Sequence, residues 1–156
     1  MFEKTIDVES FDDLVERLEY TNKIAIAMVD LASSSKGGPI ALADIAERQE
    51  ISLSYLEQLF ARLRKGGLVK SVRGPGGGYR LSKTAAETSI AEIVRAVDEP
   101  LKAVRCSGDA KMGCLKGGQR CATHALWDAM GRHIEGFLAG VSLDDVLTGK
   151  LNREAA

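Results

Sequence analysis

The stretch that most constrains this chain is Arg105 to His124, RCSGDAKMGCLKGGQRCATH. It contains all three cysteines, Cys106, Cys114 and Cys121, and one of the two histidines, His124. Glycine and lysine fill the space between them, so the segment has too little apolar content to build a core of its own. It needs something else to fold around. Four soft or borderline donors on a glycine-rich loop point to a metal ion or an iron–sulfur cluster. The donors are separated by seven, six and two residues. Structural zinc sites usually pair their ligands as two close couples, which Cys106 and Cys114 do not form, although Cys₃His zinc ligation stays open. Thiolates favour zinc or iron–sulfur clusters over hard ions, and the loop is poor in carboxylates that would hold iron through oxygen. An odd number of thiols in one stretch is not a disulfide framework and implies a reducing, cytoplasmic setting.

The remaining sequence has to supply the globular part. At 156 residues it can bury one good core, or one core and a small appendage. Aromatic residues make up only 5%, so the core is expected to be aliphatic, which favours a mostly α fold. The longest apolar run, Ile24 to Val29, is closed off by Lys23 and Asp30 and is far too short for a membrane span. The acidic start does not match a secretory signal. A net charge of -1 hides a strong asymmetry. Residues 1–19 carry seven acids against Lys4 and Arg17, whereas Gln58 to Ala86 holds seven basic residues and no acid. The local basic block, rather than the global balance, points to nucleic acid.

Helical spacing begins at Leu14 and runs through Leu18, Ile24, Ala27, Met28 and Leu31, and Ser33 to Pro39 ends that helix. A short amphipathic helix follows, with Leu42, Ile45 and Ala46, closing near Gln49. Glu50-Ile51-Ser52 makes a tight connection to a helix whose Leu53, Leu56, Leu59, Phe60 and Leu63 share one face. This is a helix-turn-helix pattern. Ser52 is the expected N-cap. The outward face carries Ser54, Tyr55, Gln58 and Arg62, with Glu57 at its margin. Gln can bond adenine edges, Ser and Tyr reach phosphates, and Arg62 neutralises backbone charge. Residues 68–73 then read as a strand, Gly74-Pro75-Gly76-Gly77-Gly78 as a turn and Tyr79-Arg80-Leu81 as the returning strand. A helix-turn-helix followed by a hairpin is a winged helix, and Arg73 at its tip suits a minor groove. The glycines match neither GxGxxG nor a Gly-Lys-Ser/Thr phosphate loop, so a nucleotide-binding glycine loop is rejected as the rival reading.

Ser89 and Glu92 predict a capping box ahead of Ile90, Ile93, Val94 and Val97, and Asp98-Glu99-Pro100 should end that helix. After the cysteine loop a long helix is expected over about 122–139. Its two apolar stripes are Leu126, Met130, Phe137 and Trp127, Ile134, Leu138, one to pack on the parent domain and one on a second copy. Ser142 should cap a last short helix. The organisation expected is an acidic arm over 1–13, a winged helix-turn-helix domain over 14–88, and a cluster loop with dimerisation helices over 89–156.

The segments ALADIAERQEISLSYLEQLFARLRKGGLVKSVRGPGGGYRLS and VRCSG…CLKGGQRCATHALW closely resemble the IscR family of iron–sulfur cluster regulators. Its relatives include the nitric-oxide sensor NsrR and the iron regulator RirA. The resemblance runs from about Asp30 to Leu147. It implies a homodimeric winged-helix repressor and activator of iron–sulfur biogenesis genes, not an enzyme. One 2Fe–2S cluster per subunit would be bound by Cys106, Cys114, Cys121 and His124, with iron–sulfur assembly proteins as donors. By position, Ser52, Ser54, Tyr55, Gln58 and Arg73 would contact double-stranded DNA. Glu57 would let the cluster-free form reject cluster-dependent operators. Zinc or a 4Fe–4S cluster are the alternative occupants. A dimeric paralogue with weakened DNA binding, or a nitric-oxide or iron sensor, are the alternative functions. Four departures stand out. Tyr20, Thr21, Asn22 and Lys23 occupy the place of a basic Lys-Gly-Arg-Tyr segment, an acidic extension precedes them, and the cysteine gaps are longer. Glu50 also stands where the family prefers Gly, which predicts strain of about 1 kcal/mol in a left-handed turn.

Overall fold

A computed structural model describes residues 8–35, 38–97, 115 and 117–151. The chain divides into two units, Met1–Ser82 and Lys83–Ala156. In the first, α1 (Val8–Ser34), α2 (Leu42–Gln49) and α3 (Leu53–Lys65) precede a hairpin of β1 (Val69–Val72) and β2 (Gly78–Leu81). In the second, a 3₁₀ turn (Ala85–Glu87) leads to α4 (Ile90–Val97), α5 (His124–Ala139) and α6 (Leu143–Thr148). The fold is mostly helical with one small antiparallel sheet, as expected. The helix read from Leu14 is the visible part of a longer one that starts at Val8.

The core of the first unit follows the predicted periodicity. Ile24, Ala27, Met28 and Leu31 of α1 are buried, with Leu42 and Ile45 of α2 and Leu56, Leu59, Phe60 and Leu63 of α3. Leu53, placed on that same face by its spacing, is 42% exposed, whereas Leu56 one turn on is fully buried. Tyr79 of β2 covers Phe60 edge-on, ring centroids 5.1 Å apart.

Between α1 and α2, Ile40 pairs with Tyr79 through reciprocal bonds of 2.8 and 2.7 Å, a bridge that docks the hairpin on the helices. Gly78 lies so close to Ile40 that a Cβ would run into the Ile40 carbonyl, so this approach requires glycine. At the hairpin tip, Gly77 N–H donates to Gly74 C=O at 2.9 Å, with Pro75 and Gly76 between them and Gly76 at φ 70°. Proline followed by a positive φ is the type II turn pattern.

One buried charge ties α1 to α2. Asp30 is 6% exposed in an otherwise apolar setting. Its carboxylate accepts from Arg48 Nη2 at 2.6 Å, Arg48 Nε at 3.1 Å, Gln49 Nε2 at 2.6 Å and Ser34 Oγ at 3.2 Å. A buried carboxylate is tolerated only when its lone pairs are satisfied in this way. Directly after Gln49, Glu50 takes the left-handed conformation, φ 53° and ψ 38°, as its position in the turn predicted.

The second unit is organised around capped helix starts. Ser89 Oγ accepts from the Glu92 N–H at 3.2 Å, and the Glu92 carboxylate accepts from the Ser89 N–H at 3.0 Å, completing the expected capping box. Ser142 and Asp145 do the same for α6, at 3.1 and 2.9 Å. Ser89 and Ser142 also pair as a bridge, through Ile90 N–H to Val141 C=O and Leu143 N–H to Thr88 C=O, both 2.9 Å. The predicted stop at Asp98-Glu99-Pro100 lies outside the described residues.

The Arg48 hydrogen bond holds the Asp30 carboxyl below its ordinary value, against the opposing effect of burial. A carboxylate with a depressed folded pKa contributes stability above its unfolded value, and that contribution is lost as pH falls through the folded one. Melting temperature should therefore drop on acidification below about pH 4, and Asp30→Asn should flatten that drop. Asp30→Ala should cost about 2–3 kcal/mol at neutral pH by denaturant titration. An unchanged midpoint would remove Asp30 from the stabilising set.

Candidate nucleic-acid interface and metal turn

The outward face of α3 is built from its N-terminus. Ser52 caps the helix, its Oγ accepting from the Tyr55 N–H at 3.3 Å and sharing a hydrogen bond with Ser54 Oγ at 3.0 Å. Two small hydroxyls thus stand at the positive end of a helix, where backbone N–H groups remain to meet an anion. Ser52, Ser54, Glu57, Gln58 and Arg62 are exposed and Tyr55 is half-buried. Arg73 is exposed where β1 enters the hairpin turn. Every residue predicted for the DNA face thus lies on α3, its cap or the wing, within a single unit.

Sequence reasoning missed what surrounds Tyr55. Tyr20 packs edge-on against its ring, centroids 5.3 Å apart at 87°, and Lys23 Nζ sits 6.0 Å from the ring centroid. Tyr20 and Lys23 lie three residues apart on α1. The spacing of three residues was the available signal, since it stacks side chains on the same side of a helix.

Only part of the cysteine–histidine stretch lies within the described residues. Cys106 and Cys114 lie outside the described residues. Cys121 and His124 are both half-buried, and the His124 N–H donates to the Cys121 carbonyl at 3.1 Å, turning the chain into α5. Cys121 is not disulfide-bonded, and its Sγ lies 3.6 Å from Thr123 Oγ1. Among the described residues no three candidate ligands converge. A thiol and an imidazole one turn apart, accessible at a helix start, suit a soft metal or an iron–sulfur cluster in donor chemistry.

α5 was expected to bury one apolar stripe on its own domain. Instead both are open: Trp127 and Ile134 are 43% and 37% exposed, much like Met130 and Phe137 at 39% each. The helix is linked to α4 by an ion pair from Arg95 to Glu135 at 2.7 Å. No helix among the described residues is long and apolar enough to cross a membrane.

The profile of the Rrf2 family, described as an iron-dependent transcriptional regulator, matches residues 18–149. The chain belongs to the Rrf2 family. It is similar to the HTH-type transcriptional regulator IscR of Photorhabdus laumondii, 55% identical over 86% of this chain and 80% of the relative. It is 52% identical to the IscR of Escherichia coli O139:H28, over 86% and 82%. Among solved structures, T. potens IscR matches with a TM-score of 0.66 and 36% identity over 86% of this chain and 85% of that one. CymR, the global cysteine regulator of B. subtilis, matches with a TM-score of 0.66 and 29% identity over 85% and 94%. The family resemblance read from the motifs therefore holds over most of the chain. This Rrf2 protein is a transcriptional regulator with the winged-helix fold.

Burial pushes the Tyr55 hydroxyl up to about 12, with Tyr20 adding to the rise and Arg62 opposing it. A phenol whose folded pKa exceeds its unfolded value supports folding below the unfolded value, and that support fades as pH rises through the folded one. Ultraviolet difference titration should show a late-ionising tyrosine near 12 that Tyr55→Phe removes. Persistence of that component in Tyr55→Phe would place the buried hydroxyl elsewhere.

Proposed function

We propose that this Rrf2 protein is a cytoplasmic homodimeric regulator that binds operator DNA through α3 and the wing. It reports iron–sulfur status through a 2Fe–2S cluster held by Cys106, Cys114, Cys121 and His124, and controls iron–sulfur biogenesis genes. The observation that carries the reading is the turn that brings Cys121 and His124 together at the start of α5, in the same stretch as the other two thiols. When bound, such a cluster supplies a redox-active, labile centre, and an imidazole among thiolates makes it less negative. The exposed stripes of α5 support dimerisation, because apolar area of this kind is normally covered by a partner. On this reading Ser52, Ser54, Tyr55 and Arg62 hold phosphates, Gln58 reads bases and Arg73 enters the minor groove. Glu57, exposed on the same helix, disfavours operators that require the cluster-loaded form. Duplex DNA, a second copy and assembly proteins that donate the cluster are the partners.

Anaerobically purified protein should be coloured, with iron–sulfur charge-transfer bands in the visible. A colourless protein containing zinc would overturn the cluster assignment. His124→Ala should lose iron and sulfide on exposure to air while remaining dimeric by sedimentation, since α5 and not the loop carries the interface. Retention of normal iron and sulfide in air would take His124 out of the ligand set.

Arg73→Ala should weaken binding to all duplexes and lower the slope of log K against log salt by roughly one unit. Gln58→Ala should act on operator bases selectively. Operator binding by Arg73→Ala that matches wild type at moderate salt would refute this docking of the wing.

A further inference from the structure

The hairpin carries a second charged feature, away from its tip and unused in the reading above. Strand register places Lys70 directly opposite Arg80. Like charges facing each other across an antiparallel pair destabilise it unless something of opposite sign intervenes. Among the described residues neither has an acidic partner, nor does Arg64, and the sequence from Gln58 to Ala86 contains no acid.

These three cations line one open groove of about 510 Å³ between the end of α3 and the hairpin, together with Ser71 and Ser82. The groove therefore offers several N–H donors and an unneutralised positive charge. A tetrahedral oxyanion satisfies both at once, because guanidinium and ammonium groups meet phosphate oxygens in charge-assisted hydrogen bonds.

We propose that Arg64, Lys70 and Arg80 form an oxyanion site that takes a phosphate group. That phosphate comes either from the backbone of bound duplex or from a free polyphosphate. The duplex source rests on the DNA-binding reading above. The free-anion source needs no DNA.

The test compares wild type with Lys70→Gln/Arg80→Gln, with Lys65→Gln as a control that removes a nearby exposed charge outside the groove, and with Arg73→Ala. Thermal unfolding is measured with inorganic tripolyphosphate against sodium chloride of equal ionic strength, and duplex binding is measured over a range of salt. For either source, tripolyphosphate should raise the melting temperature of wild type and of Lys65→Gln but not of the double variant. If duplex phosphate is the source, the double variant also loses about two units of salt slope on random and operator duplex alike. A slope unchanged in the double variant, with tripolyphosphate stabilisation still specific to the groove, assigns a free polyphosphate. Equal tripolyphosphate response in wild type and double variant, with an unchanged slope, overturns the site. In that outcome a reduced slope in Arg73→Ala leaves the DNA-binding reading standing, whereas no effect of Arg73→Ala refutes that reading separately.

Discussion

The Asp30 carboxylate is the constraint on which the arrangement of the first unit depends. It is supplied by α1, and, apart from Ser34 of α1 itself, the groups that satisfy it come from the last two residues of α2. Glu50 follows at once, bent into a left-handed turn that delivers Ser52 to the start of α3. A displacement at Asp30 would thus be felt at the Ser52 cap of α3. Hydrophobic contacts between the helices are non-directional and allow sliding. A forked guanidinium on a buried carboxylate is directional and fixes one register. The strain at Glu50, about 1 kcal/mol, is tolerable because the bonds on either side of it hold the turn.

The second restraint on α3 is the hairpin, docked by Ile40 on one side and by Tyr79 over Phe60 on the other. Gly78 allows the first of these and the buried ring of Phe60 the second. The wing is therefore rooted at its base in the same core that carries α3. Its tip and outer face, where Arg73, Lys70 and Arg80 are found, are left to interact with something else.

Features that depend on local chemistry were legible from the sequence. Ser52, Ser89 and Ser142 each announced a helix start, because capping needs only a hydroxyl and an N–H three residues later. The hairpin was legible because four glycines and a proline separate two short runs that mix apolar and basic residues. Features that depend on distant partners were not. Asp30 read only as the end of an apolar run, since nothing local says that Arg48 and Gln49 converge on it. Ile40 gave no strand signal because a single bridging residue has no period. On the interface, the residue types and their face were readable, whereas the packing of Tyr20 and Lys23 on Tyr55 joins two helices and needed the fold. Both stripes of α5 were correctly seen as apolar. Their shared exposure was not foreseen, because a periodic pattern shows which residues are greasy without saying what covers them.

The bridge between Ser89 and Ser142 has a consequence for how this protein can vary. It pins together two points that are far apart in sequence, and the whole cysteine-bearing stretch lies between them. Chain inserted into a segment whose ends are already fastened costs only loop-closure entropy, about 0.6 kcal/mol for each doubling of length. A change in the gaps between Cys106, Cys114 and Cys121 is then inexpensive in thermodynamic terms. The cysteine-bearing stretch can lengthen, shorten or change its spacing while the capped starts of α4 and α6 keep the same footing.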